Sequence, residues 1–321
     1  MKIYNLQTDK DLVPELKEVL EHLRQERNFD ESYYLKKKLG LLNDYMREFS
    51  LKSCVVAVSG GIDSAVTLGI VHSASKEPNS PIKKIVPVFL PVFSKESASN
   101  QESTVDRGLD LVNHFGLTPA KVDLTECHAV MKKTVDSAMR FTGAGWASGQ
   151  LVSYMRTPAL YYITSLLSEM SMPGILCGTT NRDEGAYIGY FGKASDGLVD
   201  VQIISDIHKS EVYRMAKVLD LPKSVIDAIP SGDMYDARPD EEVFGATYDF
   251  VELYMLYLSL NSPETKSHLR RGWSQAAIDQ FELLSSRLES MHSYNKHKYL
   301  GKNPSVHFDI YERFVPGGWM D

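Results

Sequence analysis

The chain has 321 residues with a net charge of −7, 43% hydrophobic and 24% charged. That balance is globular and excludes collagen-like, disordered and disulfide-stapled mini-protein classes. Its three cysteines, Cys54, Cys127 and Cys177, are odd in number and lack C-x-x-C spacing, which argues against a disulfide framework or zinc site and fits a reducing compartment. The acidic total argues against a nucleic-acid binder, and no apolar run approaches the ~18 residues of a membrane span. The expectation is a soluble, cytoplasmic protein with neither nucleic acid nor membrane as partner.

Leu12, Leu16, Val19, Leu20 and Leu23, then Tyr34, Leu35, Leu39, Leu42, Tyr45 and Met46, recur at helical steps, so residues 1–50 read as a helical extension. The run Lys36–Lys38 reads as a solvated helix face. Cys54–Val58 is a short continuous apolar run, the mark of a strand buried on both faces, and Ala65–Val71 is apolar enough for a buried helix. Ile85–Leu90 reads as a strand whose Pro87 speaks against a central place. A polar helix (100–115), a short strand (120–123), a helix (130–140) and a long helix ending near Met170 lead to the buried strand Gly174–Gly178. Thr157-Pro158 either starts a helix or kinks a longer one. Beyond residue 205 strands stop, and Lys209–Leu219 and Phe244–Leu260 read as helices, with the aromatics Tyr248, Phe250, Tyr254 and Tyr257 as packing. The alternation predicts an α/β fold, a parallel sheet covered on both faces, with its core near residues 50–205 and helical additions at both ends.

Ser59-Gly60-Gly61-Ile62-Asp63-Ser64 falls between a buried strand and a helix. At such a junction free backbone N–H groups and the helix dipole favour an anion, and glycines let the backbone approach phosphate. Asp63 would repel a bare phosphate, which points to a magnesium ion between them. The loop lacks the G-K-S/T ending of a Walker A motif.

SGGIDS resembles the pyrophosphate loop of the ATP pyrophosphatases, which implies an adenine-nucleotide alpha-hydrolase-like (Rossmann-like) sheet and cleavage of ATP to AMP and pyrophosphate. Further blocks narrow the resemblance: Gly178-Thr179-Thr180-Asn181-Arg182-Asp183-Glu184, then Gly189-Tyr190-Phe191-Gly192-Lys193 with Asp196-Gly197, Asp206-Ile207-His208-Lys209, and Pro230-Ser231-Gly232-Asp233 with Asp240-Glu241-Glu242. As an ordered set they are similar to NAD synthetases over about residues 33–310. The division expected is 1–50 for the extension and 51–321 for the synthetase domain. The resemblance implies ATP-dependent amidation of deamido-NAD, with the nicotinate carboxylate adenylated and then attacked by ammonia. The fifty residues ahead of Ser53 are too few for a glutamine-hydrolysing domain, so the expectation is the ammonia-dependent kind.

By that resemblance Ser59, Gly60, Gly61 and Ser64 hold the pyrophosphate, and Asp63 and Glu184 hold magnesium. Thr179, Lys209 and Ser231 contact ATP, with Ser231 on a loop that closes over it. Asp196 and Asp200 lie near the dinucleotide, where one helps position or deprotonate ammonium, so the catalytic set is Asp63, Lys209 and Asp196. Gln150, Arg156, Lys193, His297 and Lys298 complete the substrate-binding set. A homodimer is implied as well. Two places depart from the family pattern: Tyr154 stands where an arginine is usual in N-x-x-A-R-x-R, and Phe89 where one is usual in V-R-L-P. The rival readings are a synthetase amidating another pyridine or purine acid, a tRNA-modifying pyrophosphatase, and a silent binding protein. The acidic total and unpaired cysteines oppose the second, and the acids with Lys209 oppose the third.

Overall fold

Proline in its first turn and buried Leu16, Val19, Leu20 and Leu23 on one face make Pro14–Arg27 a helix, α1. Asp30, whose side chain accepts from Tyr33 N, starts α2 (Glu31–Glu48). Then come β1 (Ser53–Ala57), α3 (Ile62–Lys76), β2 (Lys84–Phe89), α4 (Gln101–His114), β3 (Ala120–Lys121), α5 (Thr125–Met139), α6 (Gly145–Glu169), β4 (Gly174–Gly178), α7 (Arg182–Gly185) and β5 (Val201–Gln202). The chain continues through α8 (Lys209–Val218), α9 (Lys223–Ile226), α10 (Asp240–Phe244), α11 (Tyr248–Ser259), α12 (Pro263–Leu269), α13 (Gln275–Asn295) and β6 (Val306–His307). This is a computed structural model, and it describes residues 11–93, 101–232, 238–298, 306–308 and 310.

Among the described residues the strands form one six-stranded sheet in the order β3-β2-β1-β4-β5-β6, every pair parallel. The order reverses between β1 and β4, and the crevice at their carboxyl ends is where doubly wound sheets bind ligands. One face of the sheet packs on α2, α3, α4 and α8, through residues such as Tyr34, Leu68, Leu111 and Met215. The other packs on α6, through Val152, Met155, Leu160 and Leu167. A third cluster lies outside the sheet and joins α1 to α11 and α13. The expected N-terminal extension therefore divides, α1 into the third cluster and α2 into the first.

Several expectations need correcting. Strands do not stop at residue 205, because Val306 and His307 add β6 beside Val201 and Gln202. Two residues carry too little pattern to be read as a strand. Lys38 is not on a solvated face: it is fully buried, donating to Asp206 Oδ1 at 2.9 Å and to Phe308 O at 2.7 Å. Pro87 lies in an inner strand, opposite Val56. Val88 O accepts from Val58 on the β1 side and Phe89 O from Val122 on the other. By alternation Pro87 faces the side where β3 begins only at the level of Val88, so its missing N–H costs no ladder bond.

Thr157-Pro158 does not start a helix but lies inside a longer one, since α6 runs through both and Thr157 Oγ1 donates to Ala194 O at 2.9 Å. The helix read over 244–260 is two, broken at Gly245 with φ +66° and restarted by the cap of Thr247. No helix among the described residues is long and apolar enough to cross a membrane.

Candidate active site

The glycine turn sits at the carboxyl end of β1, and its shape follows from its sequence. Gly60 adopts φ +73°, and a Cβ there would lie 2.3 Å from Thr104 O of α4, so only glycine fits. Gly61 begins α3. Ser64 Oγ donates to Gly61 O at 2.9 Å and lies 3.1 Å from Ser59 Oγ, while Ser59 N donates to Ser64 Oγ at 3.2 Å. From behind, Arg107 Nε of α4 donates to Gly60 O at 3.1 Å. That brace is not legible in the sequence, because Arg107 lies in a polar helix with no motif.

The second arm starts at the end of β4. Thr179 follows the strand, half-buried, and Asn181 begins α7, accepting from Glu184 N at 3.0 Å. Asn181 Nδ2 donates both to Asp63 Oδ1 at 2.9 Å and to Glu184 Oε1 at 2.8 Å. Lys209 Nζ, from the first turn of α8, bridges the same acids at 2.5 Å to Asp63 Oδ2 and 3.1 Å to Glu184 Oε1. One amide and one ammonium thus gather two carboxylates from neighbouring strand ends. The Tyr248 hydroxyl lies 2.8 Å from Glu184 Oε1 and 2.9 Å from Asp240 Oδ2, and its ring centroid is 4.7 Å from Lys209 Nζ. Tyr248 therefore belongs to the site, not merely to the packing stripe assigned to it. Asp240 Oδ1 accepts from Gly232 N at 2.7 Å, which ties the Pro230–Gly232 turn to this cluster. Ser231 is exposed, its hydroxyl donating to Arg238 O at 2.9 Å, and Asp233 lies outside the described residues.

Three carboxylates around a single lysine leave an excess of negative charge. Burial raises the Glu184 pKa to about 8, with Asp63 and Asp240 adding to the rise and Lys209 opposing it. Burial works against the charge of Lys209, but Asp63, Glu184 and Asp240 outweigh it and hold the ammonium firmly protonated. Among the described residues no group of three or more His, Cys, Asp or Glu side chains surrounds a metal position. Hard carboxylate oxygens in surplus, with too few protein ligands for a closed cage, fit a magnesium ion that is completed by substrate phosphates.

Of the other expected residues, Gln150 and Arg156 lie on α6 and Asp200 is bonded to it. The Tyr154 hydroxyl donates to Gln150 Oε1 at 3.2 Å, and its ring lies 3.4 Å from where a Cβ on Gly192 would be. Arg156 is partly buried, and burial lowers its pKa while Asp196 partly offsets that. Asp196 and Lys193 are exposed. Asp200 has both oxygens engaged inside the fold, accepting from Leu176 N at 2.7 Å and from the Tyr161 hydroxyl at 3.3 Å. Lys298 Nζ braces the loop after α7, donating to Gly189 O at 2.8 Å and Phe191 O at 2.7 Å. His297 is exposed, with Nδ1 3.0 Å from Tyr294 O. Phe89 turns away from the crevice and lies against Gly108 of α4. The glycine-turn residues, Asp63, Glu184 and Lys209 thus converge tightly, while the α6 residues and the 189–197 loop form a looser second group.

A Rossmann-like parallel sheet with a glycine turn and two acids at its switch point defines a nucleotide-binding α/β enzyme. The profile of the NAD synthase family matches residues 34–299, and the chain belongs to that family, as an ATP-using carbon–nitrogen ligase. The NH(3)-dependent NAD(+) synthetase of Thermoplasma acidophilum is 32% identical over 197 residues, 61% of this chain and 73% of the relative. That of Alkaliphilus oremlandii is 32% identical over 220 residues, 67% of this chain and 81% of the relative. Among solved structures, NMN synthetase from Francisella tularensis superposes with a TM-score of 0.65 at 23% identity, covering 84% of this chain and 96% of that one. The NH3-dependent NAD synthetase from Campylobacter jejuni does so at 0.59 and 19%, covering 88% and 100%. Both share the fold.

Proposed function

We propose that the protein amidates deamido-NAD to NAD, consuming ATP and ammonia and releasing AMP and pyrophosphate. The observation that carries this reading is the convergence of Asp63 and Glu184 on Asn181 and Lys209 beside the glycine turn. A carboxylate resists ammonia until one oxygen carries a good leaving group. Attack of the nicotinate oxygen on the α-phosphorus supplies it, as pyrophosphate departs and negative charge crowds at both ends. Fixed donors aimed at that charge accelerate such a step most. The turn amides with Ser59 and Ser64 hold the leaving pyrophosphate, and Lys209 and Thr179 fix the triphosphate. Asp63 and Glu184 would hold magnesium, which when bound neutralises phosphate charge. Ammonia then attacks the acyl carbon and AMP leaves. Asp196, exposed on the 189–197 loop, suits the task of orienting ammonium better than Asp200, whose oxygens are occupied.

A second reading, amidation of a smaller pyridine-carboxylate nucleotide, is raised by one residue. Tyr154 of α6, hydrogen-bonded to Gln150, stands where the family pattern carries an arginine, which leaves one cation fewer for a dinucleotide's phosphates. A homodimer is supported by α5 and α6, which expose Met131, Val135 and Met139 on one helix and Trp146, Tyr154, Tyr162, Leu166 and Met170 on the other, at four-residue steps or multiples of four.

Incubation with ATP, magnesium, ammonium and either deamido-NAD or its mononucleotide acid tests both readings. NAD and AMP formed in equal amounts from the dinucleotide are expected. Preference for the mononucleotide would select the second reading, and ADP in place of AMP would overturn both. Asp63→Ala is expected to lower ATP–pyrophosphate exchange about 100-fold or more, with a much smaller effect on dinucleotide affinity.

A further inference from the structure

Lys209 opens α8, so the place of its ammonium depends on how the preceding turn is held. Backbone and side chains of residues 206–211 are fixed from several directions. Lys209 N donates to Asp183 Oδ2 and His208 Nδ1 contacts Asp183 Oδ1, each at 2.6 Å. His208 N donates to Glu211 Oε2 at 2.9 Å. Glu211 in turn is gripped by Arg27 at the end of α1, through Nε to Oε1 at 2.6 Å and Nη2 to Oε2 at 3.0 Å. Arg27 Nη2 also donates to Asp206 O at 2.7 Å. This two-pronged pair is almost wholly buried, with 10% of the Arg27 side chain and 4% of the Glu211 side chain exposed. A planar guanidinium can meet both carboxylate oxygens and a carbonyl at once, which a lysine cannot.

Arg27 lies ahead of the family-matched region, which begins at residue 34. The rest of α1 is fastened independently, by its leucines against α11 and α13 and by Arg24, which pairs with Glu252 and Asp249 of α11. The two arginines therefore make different contacts from one helix: Arg24 bonds side chains of α11, whereas Arg27 bonds the turn that carries Lys209 directly.

We propose that Arg27 is a positioning residue for the ATP half of the site: through Glu211 and the Asp206 carbonyl it sets the turn that aims Lys209 at the triphosphate. The proposal rests on the functional reading above. Loss of the grip lets the turn relax, and Lys209 loses its line to the acids and the phosphates. Displacements of this kind are costly because phosphoryl-group chemistry relies on fixed geometry.

The test compares Arg27→Ala, Arg27→Lys and Arg24→Ala in the full-length protein. Thermal unfolding is read beside steady-state kinetics, with rates normalised to folded protein. Arg27→Ala is expected to lower kcat/KM for ATP about 10- to 100-fold while KM for the carboxylate substrate stays near that of the parent. Arg24→Ala should lower the unfolding temperature to a similar extent and leave kcat/KM for ATP unchanged. Arg27→Lys keeps a charge against Glu211 and protects folding, and its kcat/KM should fall between parent and alanine variant; if Arg27→Ala does not fold, this variant carries the test. Arg27 variants that lose stability as Arg24→Ala does but keep the parental kcat/KM for ATP would overturn the proposal. A parent protein without ATP turnover would overturn the functional reading, and this proposal with it.

Discussion

Asn181 makes one site of two acids. Its amide reaches Asp63 and Glu184 at once, from a position fixed by its own capping bond to Glu184 N. Burial, with repulsion from Asp63 and Asp240, raises the Glu184 pKa to about 8. In the absence of ligand the folded protein keeps a proton that the unfolded chain, with an ordinary glutamate at 4.5, releases. The Glu184 contribution to stability without ligand is therefore expected to fall as pH rises between those two values, as urea titrations of the protein beside Glu184→Gln at several pH values would read. Magnesium must displace that proton below pH about 8, so its affinity should rise with pH and level off above that value. Calorimetric titration checks this, and Glu184→Gln should both weaken binding and flatten its pH dependence.

At this scale the glycine turn and Asp63 stood out in the sequence by residue type between strand and helix, whereas Glu184 and Lys209 were marked by the resemblance of their blocks to those of NAD synthetases. Tyr248 did not. An aromatic residue in an apolar helix reads as packing, and nothing local reveals that its hydroxyl meets Glu184 and Asp240. Lys38 misled for the opposite reason: a lysine among lysines reads as solvated, and its partner lies 168 positions away.

Among the elements, α2 and β6 show how a short strand is held. Two residues of β6 pair with β5, and the segment is secured by Asp206, which takes Lys38 Nζ, the Tyr34 hydroxyl at 2.8 Å and Ile310 N at 2.7 Å. Lys38 and Asp206 are both fully buried. Removing one partner leaves the other charge uncompensated, so Lys38→Ala should destabilise the fold by about 3–5 kcal/mol. Chemical denaturation would measure this. Lys37→Ala, on the exposed face one position before, should change stability by no more than about 0.5 kcal/mol.

Across the whole molecule the sheet faces are covered, yet α5 has only His128 buried and exposes its apolar ridge. A second copy is the occupant proposed for that ridge and the exposed row of α6. Sedimentation should find a dimer, and Met139→Asp with Tyr162→Asp should shift it to monomer. A monomeric parent would reject this.

Sequence sufficed for the class of fold and for marking the glycine turn proposed to hold phosphate. Buried strands, crossover lengths and the Ser59–Ser64 turn are local signals, written in adjacent residues by backbone geometry and the need to bury apolar surface. Folding in three dimensions settled which distant side chains meet there: Arg107 behind the turn, Tyr248 and Asp240 beside Glu184, Arg27 on Glu211 in the turn that carries Lys209. Those contacts join residues far apart in the chain, and their energy comes from the desolvation and pairing of charges, which no local pattern records.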